Sequence, residues 1–206
     1  MDIQFYGANC VSIANKQARV VVDDNLAELG GKSILKEGDI ALFTGAHTAP
    51  SVSLKLLVDQ PGEYEVSNIS IYGIQARAHM DEAGKKDATM YKLMLDDLRI
   101  LVTGHVYPEL SERQLEDIGM VDIMVVPVGG HGYTTDVVGA LKLVKQIEPK
   151  LLIPTHYADN KLNFPVPQVS LEDVLKELAM EPKESTDKLR LRTGDLGETL
   201  QLIVLK

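Results

Sequence analysis

The chain has 206 residues, 45% of them hydrophobic, and carries a formal net charge of −9 with a pI near 5.0. That length and apolar content suit one domain spanning 1–206, and the acidic balance excludes a face built to bind nucleic acid or an anionic membrane, because phosphates would be repelled by the chain as a whole. Cys10 is the single cysteine, which excludes an internal disulfide; the start MDIQFYGANC lacks the features of a signal peptide, and no apolar run nears the roughly 20 residues of a membrane span, so a cytoplasmic protein is expected.

The first hundred residues read as a β-rich, mostly antiparallel region. Short runs rich in β-branched residues cover Ile3 to Gly7, Cys10 to Ala14, Ala18 to Asp23, Asp39 to Phe43, Leu54 to Asp59, Ile69 to Ala76 and Met90 to Leu95, separated by Gly, Asn and Asp. Asp96-Asp97 marks a tight hairpin into Leu98 to Val102. Beyond it the pattern changes to strands alternating with helices. A short helix is expected over Ser111 to Ile118 and strands over Asp122 to Pro127 and Leu151 to Pro154. Apolar positions 137, 140, 141, 144 and 147 follow a helical period after the caps Thr134, Thr135 and Asp136. Ser170-Leu-Glu-Asp173 opens a second amphipathic helix, and Lys188 to Arg192 and Thr199 to Leu205 close the chain as strands. Helices laid over packed sheets form an α/β sandwich.

All five histidines, His47, His79, His105, His131 and His156, fall at or just beyond the carboxyl end of an expected strand. One such residue in a loop is ordinarily a solvated side chain. Five in equivalent places point to a shared site, and neutral imidazole is the commonest zinc ligand. Gly130-His-Gly132-Tyr-Thr-Thr135 approximates a dinucleotide fingerprint, but Thr replaces its third glycine and a tight turn accounts for the same residues. Cys10 lies among apolar neighbours, as a buried inert thiol does.

Pro61-Gly-Glu-Tyr-Glu65, Val128-Gly-Gly130 with Tyr133-Thr-Thr-Asp136, Ile147-Glu-Pro-Lys150, Pro154-Thr-His-Tyr157 and the opening Phe5-Tyr-Gly-Ala-Asn-Cys10 together resemble the metallo-β-lactamase superfamily, in its compact ascorbate-6-phosphate lactonase-like branch. The resemblance covers nearly the whole chain and implies a single-domain, four-layer αββα sandwich. It also implies a His-x-His-x-Asp-His loop after Asp39 to Phe43, where this chain reads Thr44-Gly-Ala-His-Thr-Ala-Pro50. Gly45 stands for the first His, His47 keeps the second, Ala49 replaces the Asp and Pro50 the last His. His79 and His156 match later ligands, His105 occupies the place of the bridging Asp, and Ala8 replaces a first-turn His.

A dinuclear site needs a bridging carboxylate and ligands for two ions about 3.5–4 Å apart, so at most one zinc ion is expected, held by His47, His79, His105 and His156. His131 and His105 are candidates for catalytic proton transfer or substrate contact. Asp81 and Glu82 are the nearest carboxylates in sequence, or simply a solvated acidic turn. The resemblance therefore implies a metal-dependent hydrolase of a small ester, lactone or phosphate-bearing substrate. The alternative is a non-catalytic descendant of the fold that serves as a ligand-binding or interaction module.

Overall fold

Side chains on a strand point alternately to opposite faces, and Val20-Val21-Val22 displays the result. Val20 and Val22 enter the main core, whereas Val21 joins a smaller cluster with Ala8, Cys10 and Leu26 on the other face of the same sheet. A computed structural model describes residues 1–206. Its strands are β1 (Asp2–Phe5), β2 (Val11–Ala14), β3 (Arg19–Val22), β4 (Ile40–Leu42), β5 (Leu56–Val58), β6 (Gly62–Val66), β7 (Ile69–Ala76), β8 (Ala88–Leu95) and β9 (Leu98–Val102). There follow α1 (Glu112–Ile118), β10 (Ile123–Pro127), α2 (Val137–Ile147), β11 (Leu151–Thr155), α3 (Leu171–Leu178), β12 (Glu184–Thr186), β13 (Leu189–Arg190) and β14 (Gln201–Leu205).

Two sheets result, ordered β13-β1-β2-β3-β4-β5 and β12-β14-β11-β10-β9-β8-β7-β6. One cluster of 46 buried residues draws side chains from both sheets and all three helices, which is the α/β sandwich expected from the sequence. The outer layers are unequal. The helices contact one another and strands of the second sheet. The outer face of the first sheet is covered by a 3₁₀ turn, Leu26–Leu29, with Ile34, Leu35, Leu162 and Phe164. The first half is also less antiparallel than its composition suggested, since β3, β4 and β5 pair in parallel. No helix is long and apolar enough to cross a membrane.

Local chemistry fixes the element ends. Asp96 and Asp97 both have positive φ, as a two-residue hairpin between β8 and β9 requires, and Ser67-Asn68 make the same turn between β6 and β7. Ser111, Asp136 and Ser170 cap the three helices by accepting from Gln114, Gly139 and Asp173 backbone N–H groups.

What positions the site is strand direction. β9, β10 and β11 are parallel neighbours, and β7 runs antiparallel to β8, itself antiparallel to β9. Four strands therefore end on one edge of the second sheet, and the loops after them carry His79, His105, His131 and His156. Asp122, at the opposite end of β10, ties three segments together: Arg99 grips it with both Nε and Nη2 and with its backbone N–H, and Lys150 adds an ion pair at 3.1 Å. Burial alone would raise its pKa, but the bonds from Arg99 and Lys150 prevail and hold the carboxyl at about 2.

A folded pKa below the usual 3.8 makes this a stabilisation present above pH 3.8 and lost as pH falls through about 2. Asp122→Asn is expected to cost roughly 2–3 kcal/mol at pH 7, discounted because Arg99 and Lys150 are partly exposed. Urea unfolding across pH should show the gap between variant and parent narrowing from pH 5 toward 2; a constant gap would refute the ionic account.

Candidate functional site

His79, His105 and His156 line one cavity of about 450 Å³ at the edge where these strands end. The loops after β7 and β9 are stitched by an Ala78 to Val106 bridge and by the His79 N–H donating to the His105 carbonyl at 2.7 Å. His156 sits in the left-handed region, φ 59°, and its N–H donates to the Ala8 carbonyl at 2.7 Å, joining the edge of the second sheet to the β1–β2 turn of the first.

Two glycines permit this convergence. A Cβ at Gly104, φ 62°, would lie 2.2 Å from Thr44 Oγ1, and one at Gly129 would lie 2.0 Å from Gln168 Oε1 and 2.2 Å from the His156 carbonyl oxygen. The rings of His105 and His156 meet edge to face at a centroid distance of 4.7 Å. Each is braced at Nδ1, His105 by Thr134 Oγ1 at 2.6 Å and His156 by Gln168 Oε1 at 3.0 Å. The Gln168 amide is oriented by its own bond from Nε2 to the Val166 carbonyl, so Oε1 accepts and His156 Nδ1 donates. His156 Nε2 is therefore the nitrogen with the free lone pair. His79 Nδ1 is buried and has no partner.

Burial lowers the pKa of all three imidazoles. For His105 the neighbouring His156 and His79 add to it, and the value falls to about 3. The rings are neutral near pH 7. Asp23, at the end of β3, also lines the cavity; burial raises it to about 6 against bonds from the Thr44 backbone N–H and hydroxyl.

A profile of the beta-lactamase superfamily domain matches residues 2–156. The chain belongs to this family. A UPF0173 metal-dependent hydrolase of Archaeoglobus fulgidus is 30% identical over 82 residues, which cover 40% of this chain and 33% of that one. Another from Pyrococcus horikoshii is 27% identical over 135 residues, covering 58% and 59%. The chain thus matches from about a third to three fifths of the length of these relatives. In architecture it is similar to a protein of Thermotoga maritima assigned as a Zn-dependent hydrolase of the metallo-beta-lactamase superfamily, at TM-score 0.78 and 21% identity over 100% of this chain and 98% of that one. An isothiocyanate hydrolase from Delia radicum gut bacteria gives TM-score 0.61 at 11% identity, covering 85% and 91%. These likenesses show the fold.

The histidines of this superfamily member do not all meet. His47 turns away: its ring stacks on Phe43 at 3.9 Å, its Nε2 lies 3.9 Å from Asp59 Oδ2, and only Thr44, Gly45 and Ala46 of its loop line the cavity. Stacking on an aromatic face beside a carboxylate holds the ring there, so of the four histidines expected to share an ion the cavity gathers His79, His105 and His156. His131 is exposed at the tip of the Gly130–Gly132 turn and does not line the cavity, so it lacks the reach expected of a catalytic group. Asp81 organises its own loop, accepting from the Ala78 and Asp87 N–H groups. No three His, Cys, Asp or Glu side chains stand as a metal ion requires. In the loop of Thr44 to Pro50 only His47 carries an imidazole, and it faces Phe43 and Asp59; each cavity imidazole is a donor of the type a metal ion uses, neutral, with two braced and one carrying a buried unpartnered nitrogen, but the three are not gathered about one point.

Sequence reasoning passed over Asn9, Thr44, Tyr133, Thr134, Phe164 and Gln168. The first four lay in quoted motifs without being given a place at the site, because nothing in composition marks a bracing threonine or glutamine. Gly104→Ala is expected to cost roughly 2–4 kcal/mol, combining left-handed strain with the Thr44 clash, whereas Gly132→Ala, φ 74° with nothing within 4 Å, should cost about 1 kcal/mol. Chemical denaturation of the pair checks this, and equal losses would mean that no close approach is enforced.

Proposed function

We propose that the chain is a metal-dependent hydrolase of this superfamily that works in the His79, His105 and His156 cavity with at most one ion, zinc by its all-imidazole donors, on a small ester, lactone or phosphate-bearing substrate. The observation that carries the reading is the convergence of three neutral histidines from separate strand ends, with His79 Nδ1 buried and unpartnered. An ion bound there supplies polarisation of a carbonyl or phosphoryl oxygen and an acidified water.

The chain's own residues bind, orient and shield. Thr134 and Gln168 fix the two rings. His156 Nε2 offers its lone pair to a proton or an ion. Phe164, at 5.1 Å from the His156 ring, and Tyr133, at 5.8 Å from His105, keep water from the pair. A cavity of this size admits a small molecule rather than a folded polymer.

The fact that no three donors are assembled favours a second reading, a metal-free ligand-binding module on the same scaffold. The two differ in metal content. Under the first, protein purified without added zinc contains about one equivalent of metal, lost in both His79→Ala and His156→Ala, and a chelator lowers its melting temperature because an ion that prefers the folded state stabilises it. Metal-free protein whose melting is indifferent to chelator and to added zinc overturns the first reading and leaves the second.

A further inference from the structure

The cavity lining contains no lysine or arginine, and it holds three carboxylates, Asp23, Glu28 and Asp87. Asp23 is buried while Glu28 and Asp87 are exposed at the rim, so the lining carries a negative field, weaker at the rim where water screens it, with no positive side chain to offset it. A phosphate or carboxylate entering this space would lose its water and meet net repulsion with no guanidinium or ammonium to receive it. The rest of the lining is largely apolar and aromatic, including Leu29, Met80, Tyr133 and Phe164.

Against that background one polar group stands out. Asn9 is 4% exposed and lines the cavity. Its Oδ1 accepts from the Thr155 hydroxyl at 2.9 Å, which fixes the amide orientation and leaves Nδ2 as the free donor. Nδ2 stands near enough to Asp23 to favour its ionised form, yet it makes no well-formed hydrogen bond and remains an unsatisfied buried donor. A buried N–H₂ without a partner is costly, and a ligand acceptor would relieve it.

We propose that the cavity selects an uncharged carbonyl compound, with Asn9 Nδ2 as the specificity-determining donor to the carbonyl oxygen, and that it excludes phosphate- and carboxylate-bearing molecules. The inference narrows the substrate class of the hydrolase reading. It rests on that reading only in taking this cavity as the functional site, since it concerns binding and not turnover.

The test uses the full chain as purified and probes of one size: δ-valerolactam, which is neutral and resists hydrolysis, valerate, its anionic counterpart, and piperidinium, a cation, with inorganic phosphate alongside. Affinities by ligand-observed NMR at pH 7 should rank the lactam at least tenfold above valerate and phosphate and above piperidinium. Asn9→Ala should weaken the lactam about tenfold, the scale of one hydrogen bond. Ala46→Lys, at an exposed position on the cavity rim, leaves the buried lining intact and should shrink the preference for lactam over valerate several-fold. Thr155→Val, which loses the brace but keeps the donor, controls for simple damage to the turn and should weaken the lactam less than Asn9→Ala does. Valerate, phosphate or piperidinium binding as tightly as the lactam, or an unchanged lactam affinity in Asn9→Ala, overturns the proposal. Lactam binding without hydrolysis of any ester or lactone would sink the hydrolase reading and keep this one; turnover confined to a phosphate ester would do the reverse.

Discussion

Everything at the site depends on strand direction. Were β9, β10 and β11 antiparallel neighbours, β10 would end on the opposite edge, and the Gly129 turn that abuts His156 would stand a full strand length away. Their parallel registers, Val102 with Val125 and Val126 with Pro154, bring the ends level, and two antiparallel steps return β7 to the same direction. The first sheet contributes by the same device. The parallel pair β3 and β4 ends at Asp23 and Thr44, which bond to each other and face the same cavity. Continuous apolar runs such as Ile123 to Val126, buried on every residue, are what hold these strands inside the sandwich.

Direction brings the residues to one edge, and close packing decides how they meet there. With Gly104 against Thr44 and Gly129 against Gln168, the loops approach to distances no side chain would allow. That proximity removes the imidazoles from water, and desolvation keeps them uncharged. Neutrality in turn makes them usable as lone-pair donors near pH 7, where solvated histidines would be partly protonated. Steric fit, burial and protonation state are thus successive consequences of one arrangement.

Much of this was legible beforehand because the β-rich segments are strongly patterned. Ile69 to Ala76 and Leu98 to Val102 are bounded as the alternation and the Asp96-Asp97 turn dictate. Strand β6, Gly-Glu-Tyr-Glu-Val, and strand β12, Glu-Ser-Thr, escaped notice because edge strands expose most of their side chains and so lack an apolar signature. Ser67-Asn68, a turn-forming pair between two short runs, was the available sign of the first. For the site, sequence order gave the loops but not the side-chain directions. His47 and His79 hold equivalent places after strands, yet Phe43 takes one ring away while the other is buried beside His105. That choice is made by tertiary neighbours and has no local signal.

One contact shows why the cavity is held open. The hydrogen bond from His156 N–H to the Ala8 carbonyl joins two non-glycine residues that both lie in the left-handed region, φ 59° and 48°. Each conformation costs about 1–2 kcal/mol, more than a typical backbone hydrogen bond returns, so this contact alone cannot maintain the pair. The neighbouring bonds must hold it: Thr155 to Asn9 on one side and Gln168 to His156 on the other, with both braces buried or half-buried. Strain concentrated at the seam between two sheets, beside an unsatisfied Asn9 donor and an unsatisfied His79 nitrogen, is out of keeping with a region serving stability alone, where relaxed turns and complete hydrogen bonding would be the lower-energy solution. The geometry is explained if the braces serve to present Asn9 and His156 toward a molecule that supplies the missing partners.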